Sequence, residues 1–217
     1  MDSKIYKKFI ITEEQKSYLA SKDSSFSKLI NYLGDIDNYY IPDYFTALVN
    51  SVIYQAISFK AATTIWNRFV NLVEHVTVDN VLLLNDEDMR KCGLSKSKVG
   101  FIKNIVKAFK NNEINLNFEN MDNNEIIREL KKIKGIGDWT AQMFLTFSLY
   151  REDIISYGDL AIRRGIEWLY RLDHELSVSE FEVFKNLFSP YNTIVSLYLW
   201  EITLRNLFVF ESISNIE

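Results

Sequence analysis

Two glycines separated by one apolar residue stand between two segments whose apolar spacing predicts helices, in the run Lys134-Gly135-Ile136-Gly137-Asp138. Glycine permits backbone angles that other residues avoid, and it lets another chain approach closely. The second helix would begin with unpaired N–H groups, and its dipole favours an anion there. The pattern therefore predicts a turn that binds a phosphate of a DNA backbone without reading the base sequence. A tight turn between helices with no ligand is the alternative interpretation.

A carboxylate follows this turn 22 residues after Gly137, at Asp159. Asp159 precedes apolar residues and the basic pair Arg163-Arg164, so we expect it to begin a helix. Asp caps helices routinely, and a plain cap is the alternative to a role in chemistry. The order of the segments is a hairpin turn, Trp139, an apolar helix and then this acid. That order makes Asp159 a candidate functional residue.

Composition excludes several other kinds of site. Cys92 is the one cysteine, which excludes an internal disulfide, a cysteine-based zinc finger and a four-cysteine iron–sulfur cluster. The two histidines, His75 and His174, are 99 positions apart, which disfavours a histidine zinc site. The N-terminus lacks the apolar run of a signal peptide, and no stretch approaches the length of a membrane span. We therefore expect no membrane association.

Charge is spread unevenly along the 217 residues, whose net charge is −4 and whose pI is about 5.4. These values argue against a nucleic-acid-binding protein whose whole surface is basic. Residues 90–110, however, carry seven basic side chains and no acidic ones. They can form one basic face that attracts phosphate, although a solvated lysine-rich helix surface is an equal alternative.

Apolar spacing predicts helices along most of the chain, and only two prolines and seven glycines interrupt it. Asp43 is the expected N-cap of the first helix of this series. The predicted helices span residues 44–57, 60–73, 99–109, 122–133, 138–150, 160–171, 178–187 and 191–208. We expect an all-α protein of nine or ten helices, with at most a trace of strand near residues 9–12. The Asn-rich stretch 111–124 is the predicted boundary between lobes.

Four motifs in this order resemble the helix-hairpin-helix (HhH-GPD) DNA glycosylase superfamily, and within it the DNA-3-methyladenine glycosylase II branch. The motifs run from about residue 45 to 207 and are the helix and loop around Gln55-Ala56-Ile57-Ser58, the turn Gly93-Leu94-Ser95 with Lys98, the hairpin followed by Asp159, and the closing segment from Pro190-Tyr191 to Trp200. The resemblance implies a single unit over residues 1–217. Within this unit, an N-terminal extension over residues 1–42 precedes the part that matches the family. It also implies a two-lobed helical fold, a helix-hairpin-helix at about 125–150 and a cleft between the lobes.

The resemblance implies an enzyme that flips an alkylated purine out of double-stranded DNA and hydrolyses its N-glycosidic bond in base excision repair. Asp159 would be the catalytic carboxylate that stabilises positive charge on the sugar. Trp139, Tyr191, Met143 and Tyr54 would line the base pocket, with ordinary core packing as the alternative. Bifunctional relatives carry a lysine at the position of Trp139. We therefore expect hydrolysis without lyase activity.

The resemblance also implies how DNA is held. The expected contacts come from Gly135, Gly137, Thr140, Lys98, Ser58, Ala56 and Ile57. No cofactor is required, although carbonyl groups of the hairpin can hold a sodium or potassium ion, and by position these belong to Lys131, Ile133 and Ile136. We expect a monomer in the cytoplasm at the bacterial nucleoid, or in the nucleus if the source is eukaryotic.

Three positions depart from the family pattern. Lys134 replaces a proline before the first hairpin glycine, and Gly158 replaces one before Asp159, which puts the rigidity of that loop in question. Ala56 is small for the side chain that fills the vacated base stack, so Ile57 is an alternative.

Three alternative functions remain. They are a DNA-binding protein without catalysis, a glycosylase for another lesion and a helical protein-binding scaffold.

Overall fold

The computed structural model describes residues 5–215 and is built almost wholly from helices. The helices are α1 (Glu13–Lys22), α2 (Ser24–Leu33), α3 (Tyr44–Tyr54), α4 (Phe59–Val73), α5 (Val78–Leu82), α6 (Asp86–Lys91), α7 (Lys96–Lys110), α8 (Asn123–Leu130), α9 (Asp138–Phe147), α10 (Leu160–Tyr170), α11 (Val178–Phe188) and α12 (Asn192–Leu204). Short 3-10 turns span Phe118–Asn120, Leu207–Val209 and Ile213–Asn215. Strands β1 (Lys7–Phe9) and β2 (Asn38–Tyr40) pair antiparallel, with Lys8 opposite Tyr39. The all-α prediction is confirmed.

The chain forms two compact units. The first consists of Ile41–Leu149 together with Ile5 and Tyr6, and the second of Lys7–Tyr40 with the segment from Tyr150 onward. The prediction of two lobes is therefore confirmed, but the predicted boundary at 111–124 is wrong. That stretch stays inside the first unit because Phe118 is fully buried there against the rings of Tyr44 and Phe144.

In the first unit, α3 is the central helix. Its residues Leu48, Val49 and Val52 are completely buried, and it packs against α7 and α9. Asp43 caps the helix as expected, because its carboxylate accepts a hydrogen bond from the Thr46 N–H at 2.8 Å. The core of this unit thereby fixes α9, the helix that follows the glycine hairpin.

In the second unit, α12 is the central helix and packs against α10 and α2. Gly165 of α10 permits the closest approach, since a Cβ there would lie 3.3 Å from the carbonyl oxygen of Leu199. Phe26 of α2 packs between the rings of Phe188 and Tyr198. The segment that the sequence presents as an N-terminal extension therefore contributes, over residues 7–40, to the core of the second unit.

The described residues contain twelve α-helices rather than nine or ten, because α1, α2 and the short α5 and α6 were not predicted. The capping box of Thr12 and Gln15 was the local signal for α1. Several predicted helices also end too late. The helix that begins at Tyr44 stops at Tyr54 because Ala56 adopts a left-handed backbone with φ 52°, and Asn206 with φ 54° follows the end of α12.

No helix in the described part of the chain is both long and apolar enough to cross a membrane.

Candidate nucleic-acid interface and catalytic carboxylate

The glycine hairpin joins α8 to α9 in the first unit. Ile133 and Ile136 are buried and anchor the turn, and the Ile136 N–H donates to the Ile133 carbonyl at 3.0 Å. Gly137 is the N-cap of α9 and offers no side chain to the first amides of the helix. Gly137 and Asp138 are exposed. The N-terminus of α9 therefore presents backbone N–H groups to solvent, as an anion site requires.

The two hairpin glycines have different reasons to be glycine. Gly135 has φ 108°, and a Cβ at this position would lie 2.2 Å from Cγ of Phe101. Its close neighbour is therefore a side chain of α7. Gly137 has an ordinary φ of −102°, and a Cβ there would meet nothing within 4 Å. The packing of the chain thus requires glycine at 135 only and leaves open space beside Gly137.

Side chains from two other elements donate hydrogen bonds to the hairpin region. Asn104 of α7 donates to the Lys134 carbonyl at 2.8 Å. Gln55, at the end of α3, donates to the Gly135 carbonyl at 3.0 Å and to Thr140 Oγ1 at 2.6 Å. Sequence reasoning assigned no role to these two amides or to Phe101. The polar residue at the end of an apolar helix was the available signal for Gln55.

Thr140 was predicted to touch DNA, but the structure buries it, with only 2 % of its surface exposed. Its hydroxyl accepts the hydrogen bond from Gln55. The structure therefore places this side chain in support of the hairpin and leaves the backbone at the start of α9 as the feature that faces solvent.

The turn from Gln55 to Ser58 is the most exposed part of the first motif. Ala56, Ile57 and Ser58 are all exposed, and the Ser58 hydroxyl caps α4 by accepting from the Ala61 N–H at 3.3 Å. Phe59, the next residue, is 53 % exposed and packs its ring edge-on against Tyr54. Ala56 and Ile57, the two alternatives for the side chain that fills the vacated base stack, are thus both exposed at the surface.

Three of the seven basic side chains in the run 90–110 form ion pairs with neighbouring acids. Lys91 pairs with Glu87 and Asp88, Lys103 with Asp86 and Lys107 with Glu113. Arg90, Lys96 and Lys110 have no ion pair among the residues that the structure describes. A solvated helix surface therefore describes these three lysines, and the basic face expected from the sequence stays a prediction for the other basic residues of the run.

Lys98 was predicted to contact phosphate. Its ammonium instead donates to the Ile53 carbonyl at 2.8 Å, near the C-terminal end of α3. Partial burial lowers the pKa of Lys98 below its ordinary value. In this structure the side chain stabilises the end of α3.

Three hairpin carbonyls were predicted to hold a monovalent cation. The Ile133 carbonyl already accepts from Ile136, whereas those of Lys131 and Ile136 accept no hydrogen bond within the described residues. The Lys131 ammonium pairs with the Asp138 carboxylate at 2.7 Å across the turn. Within the described residues, no group of three His, Cys, Asp or Glu side chains forms a metal site. Hard carbonyl oxygens of this kind suit a sodium or potassium ion better than a transition metal.

Asp159 lies in the second unit as the N-cap of α10 and is 8 % exposed. Its Oδ1 accepts from the Ala161 N–H at 2.9 Å and from the Ile162 N–H at 3.1 Å. The plain capping role weighed from the sequence is therefore present. The same two hydrogen bonds fix the direction of the carboxylate.

Hydrogen bonds hold the start of the loop before Asp159, in which Gly158 replaces proline. Thr193 ties it to α12, because its Oγ1 accepts from the Ile154 N–H at 3.0 Å and its N–H donates to the Glu152 carbonyl. Asp153 accepts from the side chains of Ser189 and Asn192. These hydrogen bonds anchor residues 152–154 to α12 and to the segment before it.

The predicted pocket residues fall in both units. Trp139 is half-buried at the start of α9, and Met143 is buried one turn later on the same helix. In the second unit, Tyr191 is half-buried with its ring edge-on to Tyr18, at a centroid separation of 5.2 Å.

Tyr54 has a neighbour that sequence reasoning missed. Its hydroxyl shares a hydrogen bond of 3.0 Å with Thr63, and burial raises its pKa. Tyr6 lies beside it, and burial together with Tyr54 raises the pKa of Tyr6 to about 12. Both phenols therefore stay neutral near pH 7 and can serve as hydrogen-bonding walls.

Comparisons with known proteins identify the family of this chain. The family model for HhH-GPD superfamily base excision DNA repair proteins matches residues 49–192. DNA-3-methyladenine glycosylase 1 of Schizosaccharomyces pombe is 31% identical over 90% of this chain and 90% of its own length.

Solved structures give the same result. DNA-3-methyladenine glycosidase from Bacillus halodurans has a TM-score of 0.76 and 29% identity, covering 97% of this chain and 98% of that one. The Schizosaccharomyces pombe 3-methyladenine DNA glycosylase in complex with abasic DNA has a TM-score of 0.79 and 30% identity, covering 88% and 97%. The hairpin and Asp159 both lie within the matched region. The chain belongs to the HhH-GPD superfamily of base excision DNA repair proteins.

Proposed function

We propose that this chain is a monofunctional DNA glycosylase of the DNA-3-methyladenine glycosylase II type, which removes alkylated purines from double-stranded DNA. The observation that carries the proposal is the pairing, in one chain, of an anion-accepting hairpin at the start of α9 with an oriented carboxylate at the start of α10. The relatives named for 3-methyladenine release support the choice of substrate.

DNA binding in this proposal begins at the hairpin. The backbone N–H groups after Gly137 bind one phosphate oxygen, and the space beside this glycine admits the strand. Such contacts hold DNA without reading its sequence. A sodium or potassium ion on the carbonyls of Lys131, Ile133 and Ile136 would add positive charge at the same place; Lys131 and Ile136 are the better donors because their carbonyls are not otherwise engaged.

Cleavage depends on Asp159. When the bond between base and sugar lengthens, positive charge develops on the sugar, and a carboxylate near the anomeric carbon stabilises it. The two hydrogen bonds from backbone N–H groups to Oδ1 keep the carboxylate in one orientation, so little reorganisation is needed during the reaction. Asp159 also orients the water that attacks the sugar.

The alkylated purine already carries positive charge and is a good leaving group. Its recognition therefore needs aromatic faces more than a strong acid, since the face of an aromatic ring attracts a cation. Trp139 supplies one such face at the start of α9. Met143 and Tyr54 are the other pocket residues proposed from the first unit, and Tyr191 is the aromatic residue proposed from the second unit. Tyr6 joins them through its position beside Tyr54.

The reaction stops at base release in this proposal. Trp139 occupies the hairpin position at which the resemblance places the Schiff-base lysine of bifunctional members, and an indole cannot form that bond. In this proposal the protein acts as a monomer. Its DNA substrate lies in the nucleoid of a bacterium or in the nucleus of a eukaryote.

Release of free base from N-alkylated duplex DNA tests the function. Wild type is expected to liberate methylated purine and to leave alkali-labile sites with an unbroken strand. Absence of release would contradict the glycosylase proposal and favour a protein that only binds DNA. Strand scission without added alkali would contradict the monofunctional assignment.

Asp159→Asn tests the catalytic assignment. The amide oxygen of Asn still caps α10, so folding should be kept, while base release falls by about a hundredfold or more. Asp43→Asn is the matched control, because Asp43 caps α3 in the same way and is expected to retain activity. Undiminished release by Asp159→Asn would leave the enzyme but reject Asp159 as its carboxylate.

A further inference from the structure

The carboxamide of Gln55 spans two parts of the first unit. Gln55 is the C-cap of α3 and the first residue of the turn 55–58. Its Nε2 donates both hydrogens to the hairpin region, to the Gly135 carbonyl at 3.0 Å and to Thr140 Oγ1 at 2.6 Å. The two acceptors are 80 and 85 residues away along the chain. The contact is therefore a long-range tie and not local capping.

The hairpin has other supports besides Gln55. Asn104 holds the Lys134 carbonyl at 2.8 Å, and the ring of Phe101 lies directly against Gly135. Both residues come from α7, and the buried Ile133 and Ile136 anchor the same turn. The hairpin should therefore stay formed when the amide of Gln55 is removed.

The turn has less support of its own. Ala56 takes a left-handed backbone with φ 52°, which costs an alanine about 1 kcal/mol or more. Ile57 is 38 % exposed, and the hydroxyl of Ser58 is committed to its own helix. Of the polar side chains in the turn, that of Gln55 is the one bonded to the hairpin.

We propose that Gln55 is a positioning residue that locks the exposed turn 55–58 to the hairpin. The hairpin, which binds the DNA strand, and the turn, which faces the duplex, then keep a fixed relative position. The inference rests on the proposed function. Side chains that face the base stack must keep their place relative to the phosphate that the hairpin holds. Gln55 fixes that relation through two hydrogen bonds, one of which is to a buried hydroxyl.

Gln55→Met tests this role, since methionine has nearly the same length and volume but donates no hydrogen bond. The rate constant for base release from N-alkylated duplex under single-turnover conditions is expected to fall about ten- to a hundredfold, the size of effect that misplaced groups produce. The dissociation constant for undamaged duplex of the same sequence should change less than about twofold, because the hairpin keeps its other supports.

Gln142→Met on α9 is the matched control. The side chain of Gln142 makes no hydrogen bond within the described residues. This exchange should therefore leave the rate constant for base release and the dissociation constant for undamaged duplex at their wild-type values. Thr140→Val removes one acceptor and keeps the shape of the side chain. Its effect on release should shrink when Gln55→Met is already present, because the two groups act through one bond.

Four outcomes separate the possibilities. No release by wild type would reject the proposed function itself. Active wild type together with wild-type rates in Gln55→Met would reject the lock alone. Equal losses of release and of undamaged-duplex binding would overturn the lock and place Gln55 in the support of the hairpin. A selective loss of release, with non-additive effects of Gln55→Met and Thr140→Val, would confirm it.

Discussion

At the scale of single residues, the two hairpin glycines lead to opposite expectations. Gly135→Ala should unfold or weaken the protein by about 2 to 5 kcal/mol, because it combines a left-handed φ with a Cβ placed in the ring of Phe101. Gly137→Ala should cost less than about 1 kcal/mol, yet weaken binding to undamaged duplex by about tenfold if the strand lies against this backbone. Thermal melts and a binding isotherm measure the two effects. Normal DNA binding by Gly137→Ala would show that the strand does not approach there.

A second residue-scale prediction concerns the carboxylate at the start of α9. Asp138 pairs with Lys131 beside the proposed phosphate site, and its negative charge opposes a phosphate. Asp138→Asn should therefore tighten binding to undamaged duplex about two- to fivefold at low salt. Asp37→Asn, which breaks a comparable exposed pair with Lys8 in the second unit, is the control and should leave affinity unchanged. Weaker binding by Asp138→Asn would contradict the site.

At the scale of elements, the entry to α11 contains a charge network that depends on pH. His174 contacts Asp173 Oδ1 at 2.9 Å and Glu180 Oε1 at 2.8 Å, and these hydrogen bonds raise the pKa of His174 above 6.5. Hydrogen bonds from Ser177 and His174 lower the pKa of Glu180 to about 2. Glu180 therefore stays ionised across the range in which His174 titrates.

A raised pKa in the folded state means that protonated His174 stabilises the fold. This stabilisation is complete below pH 6.5 and disappears as the pH rises through the raised pKa. The melting temperature of wild type should accordingly exceed that of His174→Gln at pH 6, and the difference should shrink towards zero at pH 9. A difference that stays constant from pH 6 to pH 9 would contradict the network.

At the scale of the whole molecule, the net charge is −4, so DNA binding depends on which basic side chains remain unpaired at the surface. Because Lys91, Lys103 and Lys107 are paired with acids, changing all three to Gln should leave the slope of log K against log salt within about one unit of wild type. Three phosphate contacts would instead lower the slope by about 2.7. Titrations over a range of salt concentrations distinguish these values.

Much of the fold could be predicted because helix signals are local. Apolar spacing and the N-caps Asp43 and Asp159 placed most helices between 44 and 204 correctly. The boundary at 111–124 was predicted wrongly because a polar composition resembles a linker, whereas Phe118 packs into the core from within it. Residues 7–40 looked like an extension because their partners on α10 and α12 are distant in sequence.

The sequence by itself determined the helical class, the family, the glycine hairpin and the acid that caps α10, since each depends on residue type and short spacing. Only the tertiary structure decided which charges remain free and which polar groups are already bonded. The sequence did not show that the Lys98 ammonium is bonded to Ile53 or that the Thr140 hydroxyl is bonded to Gln55. The physical reason is that a hydrogen bond between residues 45 or 85 positions apart leaves no local pattern, because the folded core alone brings its two atoms within reach.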